Sequence, residues 1–498
     1  MNRGWMIFLF GWVTIGMAAG PADETSRGSL VRIRASIQPY DQFRPWQKKA
    51  PFGLNGTGVV LPGGKVLATA ALVENRTEVG LEKPGSAEKC AAEVEAIDYE
   101  ANLALLKPTD PEFLKGFAGM VMGTALRSGD KAEVWQLERN GELLRNQAEI
   151  LSAGVGRYPS DEAGFLVYGV RVSLPKRDDS YMLPLVRNCQ LAGIMMGYDR
   201  DSQEGSAIPV PMIEHFLKDS ADGKYEGFPT LGVSWSPLRD PNLREEVLAP
   251  KSGGVLLTRV NPRGTAGRAG LMEGDVLLSV DGFKLDEDGN YRDALYGPTA
   301  VGNLIRTRPT VGSPAKFHIS RRGKEMDLAG VYDRKAREEV AIPTLQYDVP
   351  PKYVVVGGLV FQELTGTYLQ EWGDKWSERA PQRLVQLFTF QHEKRADPEK
   401  KVVFLSQVLP SPTTLGYLQL SGLVLEKLNG REIHNLQELA ETVDRADSGD
   451  LVFEFTDDPG KLVLGAAEVR AVQEKIGKDY NLPALRRLWG VMWGASGT

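Results

Sequence analysis

Ser180, four residues after Lys176, is the position in this chain where residue types and spacing come nearest to a nucleophile with its own base. A serine hydroxyl activated by a lysine amine would perform acyl transfer. The intervening residues include Asp178 and Asp179 and no glycine turn, so the stretch reads as a solvated polar loop and the two aspartates as part of it. The commoner base, histidine, is missing here. The chain has four histidines, His215, His318, His392 and His434, and none lies before residue 215. A serine nucleophile that relies on an imidazole to take and return its proton therefore has no such partner in the first 214 residues. The histidines show no ligand spacing, and the two cysteines, Cys90 and Cys189, are too few and too far apart for a zinc site. We expect no metal and no cofactor. In an oxidising compartment Cys90 and Cys189 could pair.

The elements that must position these residues are mostly short. With 498 residues the chain predicts three or four domains. Its 42% hydrophobic and 25% charged residues are those of an ordinary globular protein. A net charge of −6, from 59 basic and 65 acidic residues, offers no cationic face to a nucleic acid or an anionic membrane, and neither is expected as a partner. Residues 1–20 place Arg3 before an apolar run of about thirteen residues and then small residues. This is the pattern of a secretory signal peptide, too short to span a bilayer. No stable membrane anchor follows, so a periplasmic or extracellular location is expected.

From residue 28 to 217 the sequence reads as β-strands broken by Gly, Pro, Asn and Asp. Three strand-turn-strand units stand out: GTGVVLPGGKVLATAALV (56–73), AAEVEAIDYEANLALLKP (91–108) and YMLPLVRNCQLAGIMMGY (181–198). In this order and spacing they resemble the core of the HtrA/Deg family of trypsin-like serine proteases, and GSAIPVPMIEHFL (205–217) resembles the segment closing that domain. The resemblance implies a double β-barrel. It places the catalytic His, Asp and Ser at Ala71, Asn102 and Tyr181, so that none of the three groups is present. Met182 and Leu183 stand where glycines would shape the oxyanion site. No catalytic residue is expected, Ser180 being the one remaining nucleophile to test.

After the polar linker 218–227, the run AGRAGLMEGDVLLSVDG (266–282) resembles an HtrA/Deg-type PDZ domain over 228–335. The resemblance maps a carboxylate-binding loop to Thr230, Leu231, Gly232 and Val233. PDZ domains bind extended peptides by adding them to a sheet edge. Residues 343–465 resemble the atypical second PDZ of the long plant-type Deg proteases. Gly358, Leu359, Val360 and Phe361 form its expected loop, and an aromatic-rich insertion carries Trp372, Trp376 and Phe388 as core or interface anchors. Residues 466–498 read as a separate helical tail, with Trp489 packed on the body.

The predicted fold is mostly β with α: a trypsin-like double barrel followed by two PDZ-like domains. The predicted function is an exported pseudoprotease that binds peptides or unfolded segments as scaffold, chaperone or regulator in envelope protein quality control. It would be a homo-oligomer or the partner of an active HtrA/Deg protease. The alternatives are an active serine endopeptidase using a non-standard base and a purely structural self-assembly protein.

Overall fold

The computed structural model describes residues 28–138, 140–158, 161–175, 182–334, 340–391, 400–446 and 448–489. The predicted signal peptide, Lys176, Asp178, Asp179, Ser180, Tyr181, His392 and residues 490–498 lie outside that set.

Two closed six-stranded barrels form the first part. The first contains β1 (Leu30–Ile37), β2 (Phe52–Val60), β3 (Val66–Ala68), β4 (Arg76–Glu82), β5 (Lys89–Asp98) and β6 (Leu103–Pro108), ordered β1-β2-β3-β6-β5-β4. Its first hairpin turns at Pro62-Gly63-Gly64, where both glycines take positive φ, 94° and 77°, which a side chain would disfavour. The second barrel contains β7 (Lys131–Leu137), β8 (Leu143–Tyr158), β9 (Asp161–Val172), β10 (Pro184–Arg187), β11 (Gln190–Asp199) and β12 (Glu204–Pro209). Helix α1 (Val210–Asp219) follows directly, with Pro211 in its first turn, where the missing N–H is no loss. Its Ile213 and Phe216 join Leu30, Val59, Trp135 and Phe165 in one core shared by both barrels. At about 1.5–3 kcal/mol for each large side chain buried, this shared core holds the two barrels together.

The third body is a sheet of β13 (Val233–Pro237), β14 (Val255–Val260), β15 (Val276–Val280), β16 (Phe283–Lys284), β19 (Pro314–Arg321) and β20 (Lys324–Val331). A separate ribbon, β17 (Asn290–Asp293) with β18 (Gly297–Ala300), leads into helix α2 (Val301–Thr307). α2 packs against β9 and α1. There Arg306 holds its guanidinium 4.0 Å from the centre of the Phe165 ring.

The fourth body carries β21 (Tyr353–Val356), β22 (Leu359–Glu363), β23 (Val403–Val408), β24 (Leu423–Leu428), β25 (Arg431–Glu432), β26 (Asp450–Phe455), β27 (Lys461–Gly465) and β28 (Arg486–Arg487). Helix α3 (Leu436–Arg445) is capped by Asn435, which accepts from the Glu438 N–H at 2.8 Å. Helix α4 (Ala466–Asp479) buries Val469 and Ile476 against the sheet. The expected separate tail is thus part of this body: β28 pairs with β21, because a strand edge left open is satisfied by whatever backbone reaches it. Trp489 does not pack on the body; it is exposed.

This last body clasps the first barrel. Phe43, in the β1–β2 loop, meets Tyr368 and Trp372 edge-on at 5.7 and 4.7 Å, and Gln362 donates to the Gln42 carbonyl at 3.0 Å. Trp376 packs edge-on against Phe388. Among the described residues no helix is long and apolar enough to cross a membrane.

Candidate functional site

Ala71 lies in the 3-10 turn Ala70–Leu72 after β3, and Asn102 lies in the β5–β6 turn with φ 54°. Asparagine tolerates that left-handed conformation better than most residues. The fold brings the two together: the Ala71 N–H donates to Asn102 Oδ1 at 2.9 Å. Asn102 is 2% exposed, and its Nδ2 has no hydrogen-bond partner among the described residues. Tyr181 lies outside the described residues, but its neighbour Met182 does not. Thr69 donates its hydroxyl to the Met182 sulfur, and Met182 packs against the core of the first barrel. Leu183 is buried in the core of the second. The seam between the barrels is therefore filled here by a thioether and an alanine methyl, beside an amide that accepts a backbone bond. A primary amide and a methyl group neither take nor return a proton at neutral pH, so Ala71 and Asn102 supply no general base.

The three described histidines lie elsewhere. His215 is buried in α1, its ring stacked on Phe228 at 4.4 Å, and burial lowers its pKa. His318 lies in the first PDZ-like sheet between Asp327 Oδ1 at 2.7 Å and Glu325 Oε2 at 3.0 Å, and those hydrogen bonds raise its pKa. His434 stands 3.7 Å from Glu432 in the last body. Among the described residues no three His, Cys, Asp or Glu side chains gather as a metal-binding set.

The loop Thr230–Val233 has a different character. Thr230 donates to Asp333 O, and the Thr265 hydroxyl donates to Thr230 O at 2.6 Å. The carbonyls of Leu231 and Gly232 accept from Ala266 and Asn261. The amides of Leu231 and Gly232 donate to no backbone carbonyl among the described residues. Gly232 has φ 71°, and a Cβ there would lie 3.2 Å from the Gly264 Cα, so the tight approach suits glycine. β13, which follows, pairs only with β14 among the described residues and is an edge of its sheet. Two unpaired amides at the mouth of an open edge strand can receive a carboxylate and then an extended peptide. The turn after the short helix Thr265–Arg268 is fixed by Asp275, buried to 1% exposure. It accepts from the Met272 N–H at 2.8 Å and takes both Nε and Nη2 of Arg321 at 2.7 Å.

The second expected loop is a correction. Gly357 and Gly358 form a hairpin turn, and Leu359, Val360 and Phe361 lie fully buried inside β22. β22 pairs with β21 on one side and β23 on the other, so its backbone groups are already spent and no peptide strand can be added. The cysteine pair is also corrected. Cys90 is buried in β5 of the first barrel, Cys189 is exposed at the β10–β11 turn of the second, and both are free thiols. Sequence reasoning passed over Glu74, a lone acid in the apolar run ALVEN, half-buried in the structure, where desolvation and then the charge of Asp348 raise its pKa.

A PDZ domain family matches residues 342–486, taking in α4 and reaching the first residue of β28. Protease Do-like 2, chloroplastic, of Arabidopsis thaliana is 27% identical over 93% of this chain and 75% of its own length. Putative protease Do-like 3, mitochondrial, of the same plant is 24% identical over 93% and 80%. The chain is an HtrA/Deg-like homologue of the trypsin-like serine proteases, with a PDZ domain. An alanine-substituted form of the HtrA-type protease AlgW, solved with a decapeptide, shares the fold: it covers 64% of this HtrA/Deg-like chain and 98% of its own, with a TM-score of 0.50 at 18% identity.

Proposed function

We propose that this HtrA/Deg-like protein is an exported pseudoprotease that captures the C-termini of peptides or unfolded segments on β13 and does not cleave them. The observation that carries the reading is the pairing of Ala71 with Asn102 at 2.9 Å, which reproduces a base-and-orienter arrangement in which neither group can act as a base. The open β13 edge and the unpaired amides of Leu231 and Gly232 support the binding half. Capture of a C-terminus on that edge agrees with the decapeptide carried by the AlgW structure. Export rests on the signal-peptide pattern of residues 1–20, and a role in envelope quality control as scaffold, chaperone or regulator follows from both. The C-terminal PDZ domain, with β22 paired on both edges, serves as a clasp on the first barrel and as a surface for self-association or for an active HtrA/Deg partner.

The test is a titration of the full chain with a fluorescent peptide ending in an apolar residue, run beside its C-terminal amide. Charge-assisted hydrogen bonds are worth about 1.5–3 kcal/mol, so the amide should bind about 10–100-fold more weakly. Equal binding of the two, or no binding of either, would contradict the reading.

A further inference from the structure

The first barrel presents its β1–β2 loop to the C-terminal PDZ domain as a closed tip. The Lys49 N–H donates to the Pro39 carbonyl at 2.9 Å and the Asp41 N–H to the Gln47 carbonyl at 3.1 Å, which closes the stem. Asp41 Oδ1 accepts from the N–H groups of Phe43 and Arg44 at 3.0 and 2.9 Å, which fixes the turn. The tip, residues 42–46, is thus shaped by bonds within the loop itself, and the carbonyls of Gln42, Phe43 and Pro45 are left for other donors.

Side chains from three strands of the C-terminal domain read those three carbonyls. Gln362 of β22 donates Nε2 to Gln42 O at 3.0 Å, Gln407 of β23 donates Nε2 to Phe43 O, and Arg487 of β28 donates Nη1 to Pro45 O at 3.0 Å. Among the described residues no backbone–backbone bond joins the tip to this domain, as follows where β22 is already paired on both edges. Gln362 is 2% exposed, so a buried amide is committed to a carbonyl of another body. Two aromatic anchors accompany the carbonyls. Phe43 meets Tyr368 and Trp372 edge-on, and Trp46 lies in a cluster with Tyr353, Val355 and Ile476, its ring 5.9 Å from that of Tyr353. At the foot of the loop Glu371 accepts from Lys49 Nζ at 2.5 Å. Donors set for three carbonyls, two aromatic sites and a carboxylate together make a receptor for a tight turn, distinct from strand addition at a sheet edge.

The chain's own loop fills this receptor imperfectly. Phe43 remains 39% exposed, and Trp46 Nε1 is buried without a hydrogen-bond partner among the described residues, a standing cost to the contact. We infer that the C-terminal PDZ domain is a receptor for protein segments that present aromatic–X–Pro–aromatic on a tight turn with a lysine three residues further on, and that the loop 42–46 occupies it until such a segment displaces it. Displacement does not release the domain, because a second seam, at Asp348, holds the connecting segment to the barrel independently of the loop. There the Asp348 N–H donates to Asn75 Oδ1 at 3.1 Å, and its carboxylate accepts from Arg76 Nη1 at 2.8 Å.

The test is fluorescence anisotropy of the full chain with a labelled cyclic peptide of residues 38–50, in which cyclisation reproduces the closed stem. Such a peptide has no C-terminal carboxylate, so capture at residues 230–233 does not contribute. The internal loop competes intramolecularly, and the unaltered chain should bind the peptide weakly. In Phe43→Ala the internal loop loses its contacts with two rings, and the peptide should bind about 10–100-fold more tightly than to the unaltered chain. Lys49→Ala, at the exposed foot of the loop, should act in the same direction by about 2–5-fold. Adding Gln407→Ala to Phe43→Ala removes one reader of the turn and should weaken binding about 2–10-fold. The same peptide with Phe43→Ala and Trp46→Ala should not bind any of these chains. Binding to Phe43→Ala no tighter than to the unaltered chain, equal binding of the alanine-substituted peptide, or no effect of Gln407→Ala would overturn the inference. Phe43 and Lys49 lie at the surface of one loop, and either variant alone decides the direction of the effect.

Discussion

Asn102 stands where the resemblance to the trypsin-like proteases would put a catalytic carboxylate, and its bond to the Ala71 N–H gives it a structural role that can be measured. In Asn102→Ala the Ala71 N–H loses its acceptor, and an unsatisfied buried donor costs about 1–3 kcal/mol. Alanine would also have to hold φ near 54°, which adds about 1–2 kcal/mol. Against this stands the removal of Nδ2, a buried donor without a partner among the described residues, whose own desolvation penalty of about 1–3 kcal/mol is relieved. The orphaned Ala71 donor and the relieved Nδ2 donor roughly cancel, which leaves the backbone cost and a small cavity, about 1–3 kcal/mol in total. Asn102→Gly makes the same side-chain exchange without the backbone cost, so it should be the milder of the two by about 1 kcal/mol or more. The assay is urea unfolding followed through hydrogen exchange of β1 and β6, which isolates the first barrel in a chain of several bodies that need not unfold in one step. If Asn102→Gly is as destabilising as Asn102→Ala, the left-handed turn is not what Asn102 supplies, and the reasoning fails.

Other outcomes follow from the same geometry. Ala71→His alone should yield no peptide hydrolysis, because Asn102 cannot stabilise an imidazolium as a carboxylate does and Met182 still fills the seam; turnover of a fluorogenic peptide would show otherwise. Asp275→Ala should cost the first PDZ-like sheet about 3–5 kcal/mol, since Arg321 would lose its buried partner, and calorimetry of the full chain should show that transition moved down while the others hold. His215 has a folded pKa below its ordinary 6.5, so its contribution to stability is intact above pH 6.5 and is lost as pH falls below it; His215→Phe should flatten the acid limb of the melting-temperature profile.

The double barrel was legible in the sequence because its signals are local: Pro62-Gly63-Gly64 and the strands on either side of it specify a hairpin wherever they occur. The buried pair at Ala71 and Asn102 was legible only as positions. That Asn102 accepts the Ala71 amide depends on two turns 31 residues apart meeting in space. The loop Thr230–Val233 and the loop Gly358–Phe361 look alike as sequences, and both precede a strand. What separates them is nonlocal: β13 has one neighbour, whereas β22 has two, one of them supplied by the residues just before its own turn. The clasp of Phe43 on Tyr368 and Trp372 and the seam at Asp348 join segments some 300 residues apart, which no periodicity reveals.

The most direct measurement is degradation of a permanently unfolded protein by the purified chain, beside its Ser180→Ala variant. The account predicts no cleavage by either, with the unfolded protein retained by the chain. Cleavage that disappears in Ser180→Ala would identify a serine nucleophile with a base other than histidine and contradict the central claim.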